Sequence, residues 1–324
     1  MTRPVWDIHA HLIPRNVVEA AEAGRFGLRI EEEKLVAPGG ALPLTKLTDL
    51  DALLRWMDER SISGTVLSVP PLLYRYDLEG REAAAWTELV NDGLLALSCE
   101  ASDRLRTLAH LPLQAPDLAV EVAENNASGA HAGFSIGSSV AGLTLDDPSF
   151  EPVFGRLDLA GRFVFVHPVE APDPRLERYY LGNLLGNPYE TSLAVACLVF
   201  SGMLSRHANV RFCLAHAGGA APYLIGRWQR GYDTGRPGIS PLSIQPREAL
   251  QRLWFDSVAH GDAALALLVE EVGADHILLG SDYPFPMRED EPLAALEKLP
   301  QDAREAISRH NHALALDPSS EVAT

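Results

Sequence analysis

The sequence predicts an α/β chain folded as one (β/α)8, or TIM-type, barrel, on three observations. Eight short, β-rich apolar runs alternate with longer segments of helical period, the pattern of repeated strand–helix units around a parallel sheet. His and Asp residues end several of these runs, in Asp7-Ile8-His9-Ala10-His11, His167-Pro168, His216-Ala217-Gly218-Gly219 and Gly280-Ser281-Asp282-Tyr283-Pro284, and a closed barrel gathers its strand ends at one mouth. No Gly-rich fingerprint follows the first run, which disfavours a doubly wound sheet, the other α/β architecture considered.

Strands are expected at 5–12, 64–69, 108–113, 133–136, 163–167, 210–216, 253–258 and 276–281, where β-branched, aromatic and leucine side chains concentrate. Helices are expected between them at 49–60, 80–102, 116–130, 148–160, 189–207, 219–230 and 262–272. Two connections depart from the repeat. Residues 17–48, with Ala37-Pro38-Gly39-Gly40 inside, exceed the roughly 2–6 residues usual for such a connection and read as a loop insertion serving as lid or pocket wall. Residues 175–188 are also long and carry Tyr179, Tyr180 and Asn183. A single barrel domain is expected over 1–315, with 316–324, containing Pro318-Ser319-Ser320, as a mobile tail.

With 324 residues, 47% of them hydrophobic, the chain can bury one large core. Cys99, Cys197 and Cys213 are far apart, in apolar surroundings and without a CxxC pair, which predicts reduced core thiols in a cytoplasmic protein. The start of the chain lacks a basic and apolar leader, and no apolar run approaches the ~20 residues that span a bilayer, so no membrane association is expected. A net charge of −17 without Lys/Arg clusters disfavours a nucleic-acid surface. It also gives no long-range attraction to an anionic substrate, so a carboxylate must be held by a local Arg.

Alternate residues of a strand point to one side, with Cα atoms about 6.5–7 Å apart, so His9 and His11 can face one ion. By itself such a pair is more often structural. His167 and Asp282, at the ends of the fifth and eighth runs, face the same opening in a closed barrel, and three imidazoles with one carboxylate suit zinc, with manganese as the alternative. No organic cofactor is expected. His216, at the end of the neighbouring sixth run, fits a general acid/base beside the ion; a fifth ligand or a packed core histidine is the other reading. The fourth run, Gly133-Phe134-Ser135-Ile136-Gly137, has no lysine to bridge a second ion, so one ion per chain is expected. His110, His131, His207, His276, His310 and His312 are assigned to packing or solvation, and His260 stays open. Glu170 reads as a solvated loop carboxylate, and Asp7 either orients a ligand histidine or closes the barrel.

These residues resemble the amidohydrolase-related (amidohydrolase 2) decarboxylases, most closely the branch acting on aminocarboxymuconate semialdehyde. The resemblance covers most of the chain. It rests on Asp7 to His11 with Pro14-Arg15, Ala84-Ala85-Trp86 to Asn91-Asp92, and Leu111-Pro112-Leu113-Gln114. It continues through His167-Pro168, Leu214 to Gly219 with Gly226-Arg227, Phe255-Asp256-Ser257 and Gly280 to Pro286. The resemblance implies a distorted barrel of the metal-dependent hydrolase type, with zinc held by His9, His11, His167 and Asp282 and His216 as the acid/base. It implies a homodimer in which Arg227 reaches the neighbour's substrate carboxylate, with Tyr179 and Phe285 as pocket aromatics. One departure bears on substrate. The branch carries a second carboxylate-binding Arg in an Arg-Pro pair after the first strand, and here the nearest match is Leu42-Pro43, with Arg29, Lys34 and Lys46 as the nearby cations. The function expected is a metal-dependent, cofactor-free decarboxylase of a conjugated or aromatic carboxylic acid. A hydrolase or hydratase of a lactone, amide or C–C bond is the alternative, and a non-enzymatic metal-binding protein is disfavoured by the intact ligand set with His216.

Overall fold

A computed structural model describes residues 3–126, 129–169 and 171–317; Glu170 and residues 318–324 of the expected tail lie outside the described residues. The barrel strands are β1 Trp6–His11, β2 Gly64–Ser68, β3 Leu105–His110, β4 Gly133–Gly137, β5 Phe163–His167, β6 Arg211–Leu214, β7 Trp254–Asp256 and β8 Ile277–Leu278. They form one parallel sheet in chain order. The helices of eight residues or more are α1 Arg15–Glu22, α2 Leu50–Glu59, α3 Gly80–Glu100, α4 Pro116–Asn125, α5 Glu151–Leu159, α6 Asn187–Phe200, α7 Ala221–Asp233 and α8 Asp262–Val272.

The ring closes between β1 and the chain that follows the short β8. Ile8 N–H donates to the Leu279 carbonyl at 2.9 Å, Asp282 N–H to that of His9 at 2.8 Å and His11 N–H to that of Tyr283 at 2.7 Å. Along β5, Phe163 and Phe165 point inward with Ile8, Val66, Cys213 and Leu278, while Val164 and Val166 pack outward. His167 continues the inward row, so an apolar floor carries a polar rim. On β1, the four residues from Asp7 to Ala10 span the same stretch as the three of β2 from Thr65 to Leu67, a bulge that re-aims the side chains beyond it.

Several boundaries differ from expectation. β3 lies three residues earlier than 108–113, because Pro112 has no N–H for the ladder and Leu105 already pairs with Thr65. The helix expected at 189–207 breaks at Gly202, φ 74°, into α6 and a short turn Met203–Arg206. Leu316 ends a helix, Asn311–Leu316, and is buried, so the first residue of the expected tail is packed. Cys99 is exposed on α3 rather than in the core, and all three cysteines are free.

The insertion is not a loop. It holds α1 and an antiparallel sheet of strands Arg29–Glu31, Lys34–Ala37 and Gly40–Pro43. Glu32 and Glu33 turn the first hairpin at φ 46° and 58°, the left-handed pair of a two-residue hairpin loop. Leu35 faces Leu42 in register, and both join Val17, Leu28 and Trp86 in an apolar cluster distinct from the barrel's.

Candidate metal centre

β1, β5 and the segment after β8 bring His9, His11, His167 and Asp282 together, all buried, with one ligand atom from each lying within 4.8 Å of the others. The Nε2 atoms of His9 and His11 are 3.1 Å apart, and each is 3.3 Å from Asp282 Oδ1. The far ring nitrogens are engaged: His9 Nδ1 with Asp256 Oδ2 at 2.6 Å, His11 Nδ1 with Ser68 Oγ at 3.2 Å and His167 Nδ1 with the Pro168 carbonyl at 2.9 Å. A carbonyl and a carboxylate only accept, so His9 and His167 carry their proton on Nδ1 and present Nε2 lone pairs inward. His167 Nε2 is buried and has no hydrogen-bond partner among the described residues.

The electrostatics also suit a cation. Burial, and then the neighbouring histidines, hold His167 well below the ordinary imidazole value. Burial pushes the Asp282 carboxyl up, but His9, His11 and His216 outweigh it and keep the group well below the usual carboxylate range. Burial likewise opposes charge on His9, yet Asp282 and Asp256 push it up to about 10, so that an ion at Nε2 would take the place of a second proton on that ring. The cluster thus draws positive charge, and three imidazole nitrogens with one carboxylate oxygen fit a divalent ion.

His216 follows β6 in a left-handed turn, φ 54°, which places its Nε2 3.6 Å from Asp282 Oδ2 and its ring centroid 5.0 Å from that of His167. His167, Asp282 and His216 line the floor of a cleft of about 680 Å³, with His9 and His11 clustered against the first two. Its walls include Leu42 and Pro43 of the insertion, Tyr74, Tyr76, Asn183 and Phe285, and the Phe285 ring centroid is 5.4 Å from that of His11. Tyr179 is 74% exposed and off this cleft, where its neighbour Tyr180 stands. Arg227 is exposed on α7, also off the cleft. Arg29, Lys34 and Lys46 are exposed and line none of it.

Among the described residues lining the cleft, Arg75 alone is cationic apart from the histidines. Its guanidinium is already used: Nε and an Nη donate to the two Asp77 oxygens at 2.7 Å each, and the other Nη to the Phe26 carbonyl at 2.7 Å. Sequence reasoning did not reach Arg75, Tyr76 or Ser68, and it named Asp256 only within the resembling run Phe255-Asp256-Ser257, without a role. Ser68 and Asp256 end strands, the signal that marked the ligands. Tyr76 accepts from Gly137 N–H at 2.9 Å, and among the described residues no acceptor takes its own proton, leaving that proton free for a bound molecule. Asp7 neither faces the ion site nor floats free; it accepts from His9 N–H at 2.9 Å and ties β1 to Ser281.

The amidohydrolase family model matches residues 6–313. The chain belongs to the amidohydrolase family. This amidohydrolase is 30% identical to the 2-amino-3-carboxymuconate-6-semialdehyde decarboxylase of Dictyostelium discoideum, over 97% of the chain and 92% of the relative. Its fold matches that of 5-carboxyvanillate decarboxylase from Sphingomonas paucimobilis, with a TM-score of 0.83 at 20% identity, covering 97% of this chain and 99% of that one. It also matches a dihydroxybenzoic acid decarboxylase from Polaromonas sp. JS666 solved with bound manganese and 2-nitroresorcinol, with a TM-score of 0.80 at 20% identity and 98% coverage of each chain. At such identity the two structures establish the barrel.

Proposed function

We propose that this amidohydrolase is a metal-dependent decarboxylase of a conjugated or aromatic carboxylic acid, working without an organic cofactor. One observation carries the reading: the cluster of His9, His11, His167 and Asp282 opens, through His167 and Asp282 and beside His216, onto the floor of one cleft in a chain that matches a named decarboxylase over nearly its whole length. The ion is zinc, with manganese, present in the Polaromonas structure, as the alternative. When bound, it supplies Lewis acidity next to the departing carboxylate.

The chain's own groups do the rest. His9, His11, His167 and Asp282 hold the ion. His216 Nε2 delivers the proton that replaces carbon dioxide on the substrate carbon, taking up the electron pair left when the C–C bond breaks. Phe285 and Leu42 flank an apolar ring, and the Tyr76 hydroxyl donates to the acid group. Because Leu42-Pro43 stands where an Arg-Pro pair was sought and Arg75 is tied to Asp77, the cleft suits a substrate with fewer carboxylates than 2-amino-3-carboxymuconate 6-semialdehyde.

The assembly is a homodimer. Tyr179, Tyr180, Leu184, Leu185, Tyr189 and Tyr223 are all at least half exposed, and a Cβ at Gly219 would meet the Pro188 carbonyl at 2.3 Å, so the starts of α6 and α7 adjoin. An apolar surface of this kind marks a partner site, and it adjoins the helix that carries Arg227, which then reaches the partner's cleft. Residues 1–315 act as one domain. Three free cysteines and the absence, among the described residues, of a helix long and apolar enough to cross a membrane support a cytoplasmic location.

The test is metal-loaded protein assayed against carboxylated aromatic acids and lactones, with carbon dioxide and acid release read together. Carbon dioxide from an aromatic acid is expected. Acid release from lactones without carbon dioxide from any acid would assign the hydrolase alternative.

A further inference from the structure

Asp256 ends β7 with its side chain fully buried, and its two oxygens accept four hydrogen bonds. Oδ2 takes the Nδ1 proton of His9 at 2.6 Å and the backbone N–H of His216 at 2.9 Å. Oδ1 takes the backbone N–H of Ala217 at 2.8 Å and of Val258 at 3.1 Å. His216 and Ala217 both sit at positive φ, 54° and 55°, a region that disfavours residues with a Cβ. Successive N–H groups in such a turn converge on one point and form a nest for an anion, and Asp256 is that anion. Gly280 packs against both residues, since a Cβ there would lie 2.9 Å from Asp256 Cβ and 3.2 Å from His9 Cβ.

We infer that Asp256 is a positioning residue that sets the metal ligand His9 and the proton donor His216 with one carboxylate, so that neither can move independently of the other. An amide cannot take its place. Whichever way an Asn is turned, its NH2 faces two donors, either His9 Nδ1–H with His216 N–H or the Ala217 and Val258 N–H pair. If it faces His9, the imidazole must accept at Nδ1 and carry its proton on Nε2, the atom that meets the ion. The His9 half of the inference stands on geometry alone; the His216 half rests on the proposed function.

Asp256→Asn is tested by metal titration and, at saturating metal, by steady-state kinetics on whichever acid the wild-type enzyme turns over. The expected result is metal binding about 10- to 100-fold weaker, together with kcat at saturating metal at least 10-fold lower and KM within about twofold of wild type, because the cleft walls are untouched. Ala217→Val is the reciprocal variant. It contacts no ligand, but a β-branched side chain disfavours φ 55°, so coupling through Asp256 predicts metal binding several-fold weaker. Wild-type metal affinity in either variant overturns the inference, as does full kcat in Asp256→Asn once metal is saturating. If no acid is turned over by the wild type, the proposed function fails, and the metal titrations of both variants still decide the His9 half.

Discussion

Ser281 Oγ donates to Asp7 Oδ2 at 2.5 Å across 274 positions of sequence, and the Ser281 N–H donates to Oδ1 of the same carboxylate at 3.1 Å. The pair lies at the β1–β8 seam, where β8 has only two residues. Burial raises Asp7 to about 6 even though the Ser281 hydroxyl lowers it, so removing that donor leaves a buried carboxylate poorly satisfied. Ser281→Ala is expected to cost about 1–3 kcal/mol, read as a lower midpoint of denaturant unfolding at unchanged slope.

The four ligands and His216, the proposed proton donor, should separate in a metal assay. His9→Ala and Asp282→Ala should lose metal and turnover together by elemental analysis, against about one ion per chain in the parent protein. His216→Asn should keep most of its metal and lose turnover by about 10²–10⁴-fold. Parallel loss of metal in His216→Asn would make it a ligand.

Substrate charge is read at Leu42. A charge-assisted hydrogen bond to a carboxylate contributes roughly 1.5–3 kcal/mol, so wild type should turn over monocarboxylated aromatic acids about 10- to 100-fold better than 2-amino-3-carboxymuconate 6-semialdehyde. Leu42→Arg should narrow that ratio. Efficient use of the semialdehyde with no gain from Leu42→Arg would show that another cation holds its second carboxylate.

The proposed sharing of sites between two chains is tested by mixing. Arg227→Ala and His216→Ala chains are each expected to be inactive. Heterodimers regain activity, because one of their two sites keeps both residues. A monomer in the ultracentrifuge, or inert heterodimers, contradicts the shared site.

Acid stability depends on His110. Neither of its buried ring nitrogens has a hydrogen-bond partner among the described residues, its ring stacks on Tyr74, and burial lowers it from 6.5 to about 3. Above pH 6.5 both folded and unfolded chains leave it neutral. Below that the unfolded chain takes a proton the folded one refuses, so stability falls by ~1.4 kcal/mol per pH unit between about 6.5 and 3. His110→Phe should flatten the decline from pH 6.5 to pH 5 by about 2 kcal/mol, measured by urea unfolding at both pH values.

The barrel and the four ligands were legible because both are written as repeats: apolar runs of strand length, with His or Asp where a run ends. What escaped was written in other terms. Arg29-Ile30-Glu31 alternates ahead of Glu32-Glu33, but strands of three or four residues are too short to stand out from a loop before Leu35 is seen facing Leu42. Asp256 and Ser68 end strands as the ligands do, yet nothing in sequence tells an oxygen that holds an imidazole from one that holds an ion. Arg75 reads as an available cation until Asp77, two residues on, is found closing on it.

The insertion packs with α3 and the segment after β2 in an apolar cluster around Leu35 and Trp86, distinct from the barrel interior, while contributing Leu42 and Pro43 to the cleft. The wall that selects a substrate and the floor that binds the ion are therefore separate mechanical parts. Exchanging residues along Gly40–Pro43 can redirect the enzyme to a different acid while the ion, His216 and the closure of the ring stay as they are, so new specificities can arise in this family member by rebuilding one small sheet.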